Sequence, residues 1–209
     1  MKKIISQATI DRLPLYFRTL RLVEEEEIKI ISSDELGRRL DITPEQIRKD
    51  LATFGQFGRK GIGYDVRDLK NNIENILGLH NKWRLAIVGV GHLGGALANY
   101  VNFASLGFSV VALLDINEKI IGSEVNGIKI NDSRRMNDVI AKNSVDIGVI
   151  TVPAAEAQGV ADLLVAAGVK GIWNFAPTKL NVPPTVPLVN EDLSVGLSAL
   201  SYHMSQDRD

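Results

Sequence analysis

The 209-residue chain contains no cysteine. That excludes disulfides, thiolate metal sites, a thiol nucleophile and a cysteine redox switch, so any redox sensitivity has to come from a bound ligand. Histidine is nearly as scarce, and His80, His92 and His203 fall into no metal-ligand or catalytic-triad spacing. No uncharged apolar run reaches the roughly 18 residues of a membrane-spanning helix. The stretch from Met1 to Gln7 has two lysines but no apolar segment behind them, so the expected location is cytoplasmic, with no membrane partner. A charge excess of either sign is missing too. Net charge is −1, with 14 Lys and Arg against 13 Asp and Glu in residues 1–80 and 10 against 12 afterwards, so an argument for nucleic acid has to rest on where the cations sit. What is present is an ordinary 45% of hydrophobic residues, enough for two small cored domains.

The chain is organised around residues 85–94, where Leu85, Ala86, Ile87 and Val88 run into Gly89-Val90-Gly91-His92-Leu93-Gly94. This reads as a strand ending in a Gly-x-Gly-x-x-Gly dinucleotide-binding turn. Gly89 serves the tight turn, Gly91 lets backbone approach a pyrophosphate, and Gly94 lets the next helix lie close to the strand. Helical spacing follows at Ala96, Leu97, Tyr100 and Val101, and then a second buried strand from Phe108 ends at Asp115, where an acid would hold the ribose hydroxyls. Further on, residues 132–142 read as a helix, 145–151 as a strand, 152–168 as a helix begun by Pro153 and 171–174 as a strand. Ligands in open α/β sheets bind beyond the carboxyl ends of strands. The turns Thr151-Val152-Pro153 and Asn174-Phe175-Ala176-Pro177 should therefore face the same crevice as the glycines. The last segment, 191–205, carries Leu193, Leu197, Leu200 and Met204 as one apolar stripe, suited to packing on its own sheet or on a partner subunit.

The first 80 residues read differently. Ile10, Leu13, Phe17, Leu20 and Val23 recur at helical spacing, with Pro14 kinking or starting that helix and Glu24 to Glu27 closing it. Two capping boxes follow, Ser32 with Glu35 and Thr43 with Gln46, the second with Pro44 at the first helical position. The second helix buries Ile47, Leu51 and Phe54 and turns Arg48, Lys49, Ala52 and Thr53 outward, which with the short preceding helix makes a helix-turn-helix. Glycines at 55, 58, 61 and 63 around Arg59 and Lys60 predict a β-hairpin wing with a cationic tip. Ser33, Thr43, Gln46, Arg48, Lys49, Arg59, Lys60 and Gly61 are the candidate DNA-binding residues, with phosphate contacts dominating affinity and Arg48 reading bases.

An enzyme needs a general acid or base and room for a substrate. Here the dinucleotide-binding unit uses the chain to about residue 190 and the other unit reads as a DNA-binding domain, so no catalytic residue is assigned. A bound dinucleotide without a substrate is a signal. The expected architecture is α/β: a winged helix-turn-helix over 1–80, a Rossmann-like domain over 81–190 and a C-terminal helix over 191–209. A small NAD-dependent oxidoreductase and a CoA-binding protein of the succinyl-CoA synthetase type are the rival readings. Asp115 favours a ribose diol over CoA, whose ribose carries a 3′-phosphate.

Six stretches together resemble the Rex family of redox-sensing transcriptional repressors: residues 13–18, 47–51 with Phe54-Gly55, 61–64, 89–94, 151–153 and 174–177. The resemblance runs essentially end to end. It implies a homodimer with the C-terminal helix exchanged between subunits, released from double-stranded operator DNA by NADH and not by NAD+. It further implies that Asp115 holds the adenosine ribose, that Tyr100 lies near the nicotinamide, and that Arg18 and Asp192 form an alternative contact between the DNA-binding domain and the terminal helix. His92 departs from the Arg that some members carry at that position of the turn.

Overall fold

The computed structural model describes residues 5–59 and 61–206. The chain forms two compact units, Met1–Asn81 and Lys82–Asp209. The C-terminal helix belongs to the second unit.

In the first unit, α1 (Gln7–Glu25) is capped by the Ser6 hydroxyl, which accepts the Thr9 N–H at 3.2 Å, and runs through Pro14 without ending. Its buried face is Thr9, Leu13, Tyr16, Phe17, Leu20 and Val23. Ile10, expected inward, is 41% exposed because the stripe is anchored one residue earlier, at Thr9. A two-residue strand β1 (Ile30–Ile31) precedes α2 (Ser33–Leu40) and α3 (Pro44–Phe54), and the Ser32 and Thr43 hydroxyls cap these helices as expected. The return arms of both capping boxes are used elsewhere: Glu35 pairs with Arg38 and Arg39, and the Gln46 amide donates to Asp50. The α2–α3 turn is tight enough that a Cβ on Gly37 would come within 2.5 Å of the Ile42 carbonyl oxygen. Phe54, expected buried, is half-buried at the end of α3. The wing is the hairpin β2 (Gly58–Arg59) and β3 (Gly63–Asp65), and β1 joins it in an antiparallel sheet of order β1-β3-β2. Its tip residue Lys60 lies outside the described residues. The unit closes with α4 (Val66–Leu77), capped by Asp65 and ended by Gly78 in the left-handed region at φ 67°.

The polar centre of this unit is Asp50, 1% exposed. Its carboxylate accepts from Arg12 Nε and Nη2 (2.6 and 2.8 Å), the Tyr16 hydroxyl (2.7 Å), Gln46 Nε2 (2.8 Å) and the Thr9 hydroxyl (3.1 Å). Burial acts on Asp50 in the opposite sense, but the bonds from Arg12, Tyr16 and Gln46 outweigh it and hold the carboxyl down at about 2. Burial first, and then the hydrogen bond to Asp50, push the Tyr16 hydroxyl up, so it remains a donor.

In the second unit, β4 (Trp83–Val88) leads through the glycine turn to α5 (His92–Ala98), a short α6 (Asn102–Ser105) and β5 (Phe108–Asp115). The helix expected to carry Ala96, Leu97, Tyr100 and Val101 together is broken. Asn126 Nδ2 donates to the Ala98 carbonyl at 3.1 Å and α5 ends there, leaving Tyr100 and Val101 50% and 83% exposed. The hairpin β6 (Glu124–Val125) and β7 (Ile128–Asp132) turns on Asn126-Gly127, both at positive φ. The helix expected from 132 begins later: β7 extends to Asp132, a 3-10 turn follows, and α7 spans Met136–Lys142. Then come β8 (Ile147–Ile150), α8 (Ala154–Ala166), β9 (Gly171–Asn174), a strand not anticipated, β10 (Leu188–Asn190), and α9 (Leu193–Gln206). The sheet order is β10-β9-β8-β4-β5-β7-β6, parallel except for β6. Leaving out β6, this is the 3-2-1-4-5-6 order of doubly wound dinucleotide-binding sheets, with the switch point between β4 and β8. Both faces are covered. Ala86, Val88, Leu114, Ile150 and Leu164 lie in one core, and Leu85, Ile87, Leu113 and Val149 in the other.

Asp50→Asn removes a buried anion from beneath Arg12 and is expected to cost about 3–5 kcal/mol, read as a lower urea midpoint at neutral pH. The folded-state carboxyl titrates below its ordinary 3.8, so its contribution is present above that value and is lost as pH falls toward 2. The gap between wild type and Asp50→Asn should therefore narrow between pH 4 and pH 2; a constant gap would contradict the charge's role.

Candidate functional site

At the switch point the carboxyl ends of β4 and β8 approach closely. A Cβ on Gly89 (φ 96°) would meet Val152 Cγ1 at 2.8 Å and the Thr151 carbonyl carbon at 2.9 Å. One on Gly94 would overlap the Gly89 carbonyl oxygen and lie 2.9 Å from Thr151 Oγ1. Only hydrogen fits at either place. Gly91 has nothing within 4 Å where its Cβ would stand, so the backbone there opens to solvent with space for a ligand group. The Thr151 hydroxyl lies 2.7 Å from the Gly89 carbonyl and 3.0 Å from that of Val88, fastening β8 to the turn.

The crevice so formed has a volume of about 550 Å³. Gly89, Gly91, Leu93, Asp115, Thr151, Val152, Pro153 and Phe175 of the candidate set line it, joined by Ile116, Ser133, Glu156 and Val160. Those last four carried no sequence signal of their own; only the position of Ile116 just beyond Asp115 could have pointed to it. Asp115 stands at the end of β5 with Oδ2 accepting the Val90 N–H at 2.6 Å and Oδ1 the Asn117 N–H at 2.8 Å. The first bond of α5 runs from the Gly95 N–H to the Gly91 carbonyl, so the amides of His92, Leu93 and Gly94 precede the helical ladder, where an anion is favoured. His92 itself is exposed, and the Val90 side chain packs into the core. A dinucleotide fits these residues: an open backbone at Gly91, amides before the ladder and an acid on the neighbouring strand.

Three further candidates are also placed outside the crevice lining. Asn174 is fully buried and braces the end of β9: its amide donates to the Ala176 and Thr178 carbonyls and to Asn190 Oδ1, and its Oδ1 accepts the Ala176 N–H. Ala176 lies in the core, not on the crevice wall. Tyr100 is outside the crevice lining, with its ring edge-on to Phe103 at 4.9 Å.

On the first unit, a concavity of about 600 Å³ lies between α3 and the wing, with Ser33, Arg48, Arg59, Gly61 and Tyr64 among its lining. Arg48 is held in it by Ser33 Oγ and Glu45 Oε1, each at 2.6 Å. Lys49 and Arg59 are exposed. The Thr43 hydroxyl serves as the cap of α3 and the Gln46 amide is on Asp50, so within the unit both side chains are already engaged. Arg18 is exposed on α1, and Asp192 caps α9 through the N–H and hydroxyl of Ser194 (2.8 and 2.6 Å). Among the described residues there is no group of three or more His, Cys, Asp or Glu placed to hold a metal ion, and no helix is long and apolar enough to cross a membrane.

Gly94→Ala is expected to lower stability by about 1–3 kcal/mol, because the added methyl collides with backbone that cannot rotate away. An unchanged urea midpoint would contradict the close approach.

Comparison with known proteins gives two family models and a set of relatives along the chain. Residues 80–178 match the family model described as CoA binding domain, and residues 4–52 that described as "Putative DNA-binding protein N-terminus". The chain is 47% identical to the redox-sensing transcriptional repressor Rex of Syntrophomonas wolfei, over 96% of each. It is 45% identical to that of Clostridium tetani, over 100% of this chain and 99% of the relative. Among solved structures it is similar to RSP in complex with β-NAD+ and operator DNA, with a TM-score of 0.93 and 43% identity over 99% of this chain and 95% of the other. It is also similar to RSP in complex with β-NADH, with a TM-score of 0.90 and 41% identity over 99% and 97%. With a dinucleotide crevice, a winged helix and this similarity along nearly its whole length, the chain belongs to the Rex family of redox-sensing transcriptional repressors.

Proposed function

We propose that the protein is a DNA-binding transcriptional repressor, not an enzyme, that senses the NADH/NAD+ balance and leaves its operator when NADH binds. The observation that carries this reading is the crevice of Gly89, Gly91 and Asp115 in a chain whose other unit presents Arg48 and Arg59 along one groove. The relatives support it: RSP binds β-NAD+ together with operator DNA, and also binds β-NADH. In this reading the bound ligand supplies only its redox state. The amides of His92, Leu93 and Gly94 hold its pyrophosphate, and Asp115 turns from the Val90 N–H to the adenosine ribose. Thr151, Val152, Pro153 and Phe175 wall the nicotinamide end, which Tyr100 approaches, while Val90, Asn174 and Ala176 support those walls from behind. Ser33, Thr43, Gln46, Arg48, Lys49, Arg59, Lys60 and Gly61 form the DNA-facing set, with Arg48 reaching bases and the remaining cations meeting phosphates.

The proposed assembly is a cytoplasmic homodimer that exchanges α9. Leu193, Val195, Leu197, Leu200, Tyr202 and Met204 are all more than half exposed, a row of apolar side chains that a lone subunit leaves in water. Arg18 and Asp192 are the proposed interdomain switch contact, an alternative contact between the DNA-binding domain and the terminal helix. The domain division is 1–80, 81–190 and the exchanged helix 191–209.

The direct test selects a duplex from a random pool with the wild-type chain and then titrates it with and without NADH. The expected result is weaker binding with NADH; equal affinities would overturn the sensor reading. Asp115→Ala should weaken NADH binding and reduce discrimination against NADPH, because the carboxylate that repels a 2′-phosphate is gone; an unchanged NADH to NADPH preference would contradict its role. The CoA binding family match over 80–178 favours CoA as the rival ligand. Thermal shifts measured with NADH, NAD+, NADPH and CoA separate the two, since a ligand that binds the folded state raises its melting temperature.

A further inference from the structure

We propose that Trp173 and Glu191 are the positioning pair through which the filled crevice sets the start of α9; the inference rests on the sensor reading above. Along β9 the side chains alternate, so that Ile172 enters one core and Asn174 is buried two residues on, while Trp173 and the following Phe175 pack against the other core. Phe175 lines the crevice. Its ring centroid lies 4.5 Å from that of Trp173, which is edge-on to Phe103 at 6.0 Å, which in turn is edge-on to Tyr100 at 4.9 Å. Four rings thus run without interruption from the crevice wall to the break between α5 and α6. Tilted and edge-on contacts of this kind are the preferred aromatic geometries, so neighbouring rings move together more readily than they slide apart.

Trp173 also has a polar end. Its Nε1–H donates to Glu191 Oε1 at 3.1 Å. Glu191 is held a second time, by its own N–H on the Asn174 carbonyl at 2.8 Å. The next residue, Asp192, caps α9 with Oδ1 on the Ser194 N–H and hydroxyl. No described residue of α9 is buried. Packing within the chain therefore holds α9 weakly, and its first turn takes its place from the segment that Trp173 and Asn174 hold. Asn174 is locked by four hydrogen bonds of its own side chain. Trp173 is the one of the two whose other contact is a crevice wall. A nicotinamide that displaces Phe175 shifts the indole, and the indole N–H carries Glu191 and the cap of α9 with it.

The experiment uses the full chain, NADH and a duplex selected by the wild type. It measures the NADH dissociation constant and the ratio of DNA affinities without and with NADH in Trp173→Phe, Glu191→Met and Glu191→Gln. Phe keeps a ring but has no donor, Met keeps the length but has no acceptor, and Gln keeps an acceptor. The expected result is an NADH constant within about twofold of wild type in all three. The DNA ratio should fall at least about fivefold in Trp173→Phe and Glu191→Met and be retained in Glu191→Gln, a pattern that a merely structural role does not produce. A wild-type ratio in both Trp173→Phe and Glu191→Met would overturn the pair while leaving the sensor reading intact. NADH binding weakened in step with the lost ratio would also overturn it, because the pair would then be part of the crevice itself. A wild-type chain whose DNA affinity ignores NADH would overturn the sensor reading, and the pair with it.

Discussion

The second unit depends on how closely the ends of β4 and β8 meet. Gly89 lies against Thr151 and Val152, and Gly94 lies against the Gly89 carbonyl, at separations that leave no space for a side chain. The Thr151 hydroxyl, shared between the Val88 and Gly89 carbonyls, closes this junction. Everything that makes the crevice follows from it. The turn opens at Gly91, α5 starts close to the sheet, and Asp115 reaches across from β5 to the Val90 N–H. An acid in that place is a fixed charge at the end of a parallel strand, where the sheet order reverses and a ligand has room.

The first unit is governed by a different constraint. A carboxylate taken from water must find donors, and Asp50 finds them on two helices: Thr9, Arg12 and Tyr16 on α1 and Gln46 on α3. These bonds fix the roll of α3 against α1. With the roll fixed, Arg48 and Lys49 lie on the outer side of α3, and Arg48 is steadied by Ser33 and Glu45. A helix that presents cations to a groove has to be held from behind by something that does not rotate, and a five-bonded buried anion does that better than an apolar stripe alone.

Features governed by short-range physics were legible in the sequence. The glycine turn, the caps at Ser32 and Thr43, the wing glycines and the acid at Asp115 each depend on a few adjacent residues, and each stands where expected. Features governed by distant partners were not legible. The break after Ala98 is held by Asn126, from a turn 28 residues away, while Tyr100 and Val101 continue a helical spacing that the chain abandons. Asn174 reads as a crevice residue until Thr178 and Asn190 are seen to occupy its amide. Ile10 shows a subtler limit. A stripe of period 3.6 admits two neighbouring phases, and the buried Thr9 hydroxyl, bonded to Asp50, selects the one that leaves Ile10 in water. The three residues of β10 were too few to give a periodic signal, yet they place Glu191 beside Trp173.

The two units have meaning together only if a ligand in one changes the other's affinity for DNA. Such coupling is reciprocal by thermodynamic necessity, so it can be read from the ligand's side as well as from the DNA's. The most direct measurement is the dissociation constant of NADH for the full chain, taken free and again saturated with a duplex that the chain itself selects. The account predicts that DNA weakens NADH binding, by the same factor as NADH weakens DNA binding. An NADH constant that stays the same whether or not DNA is bound would contradict it.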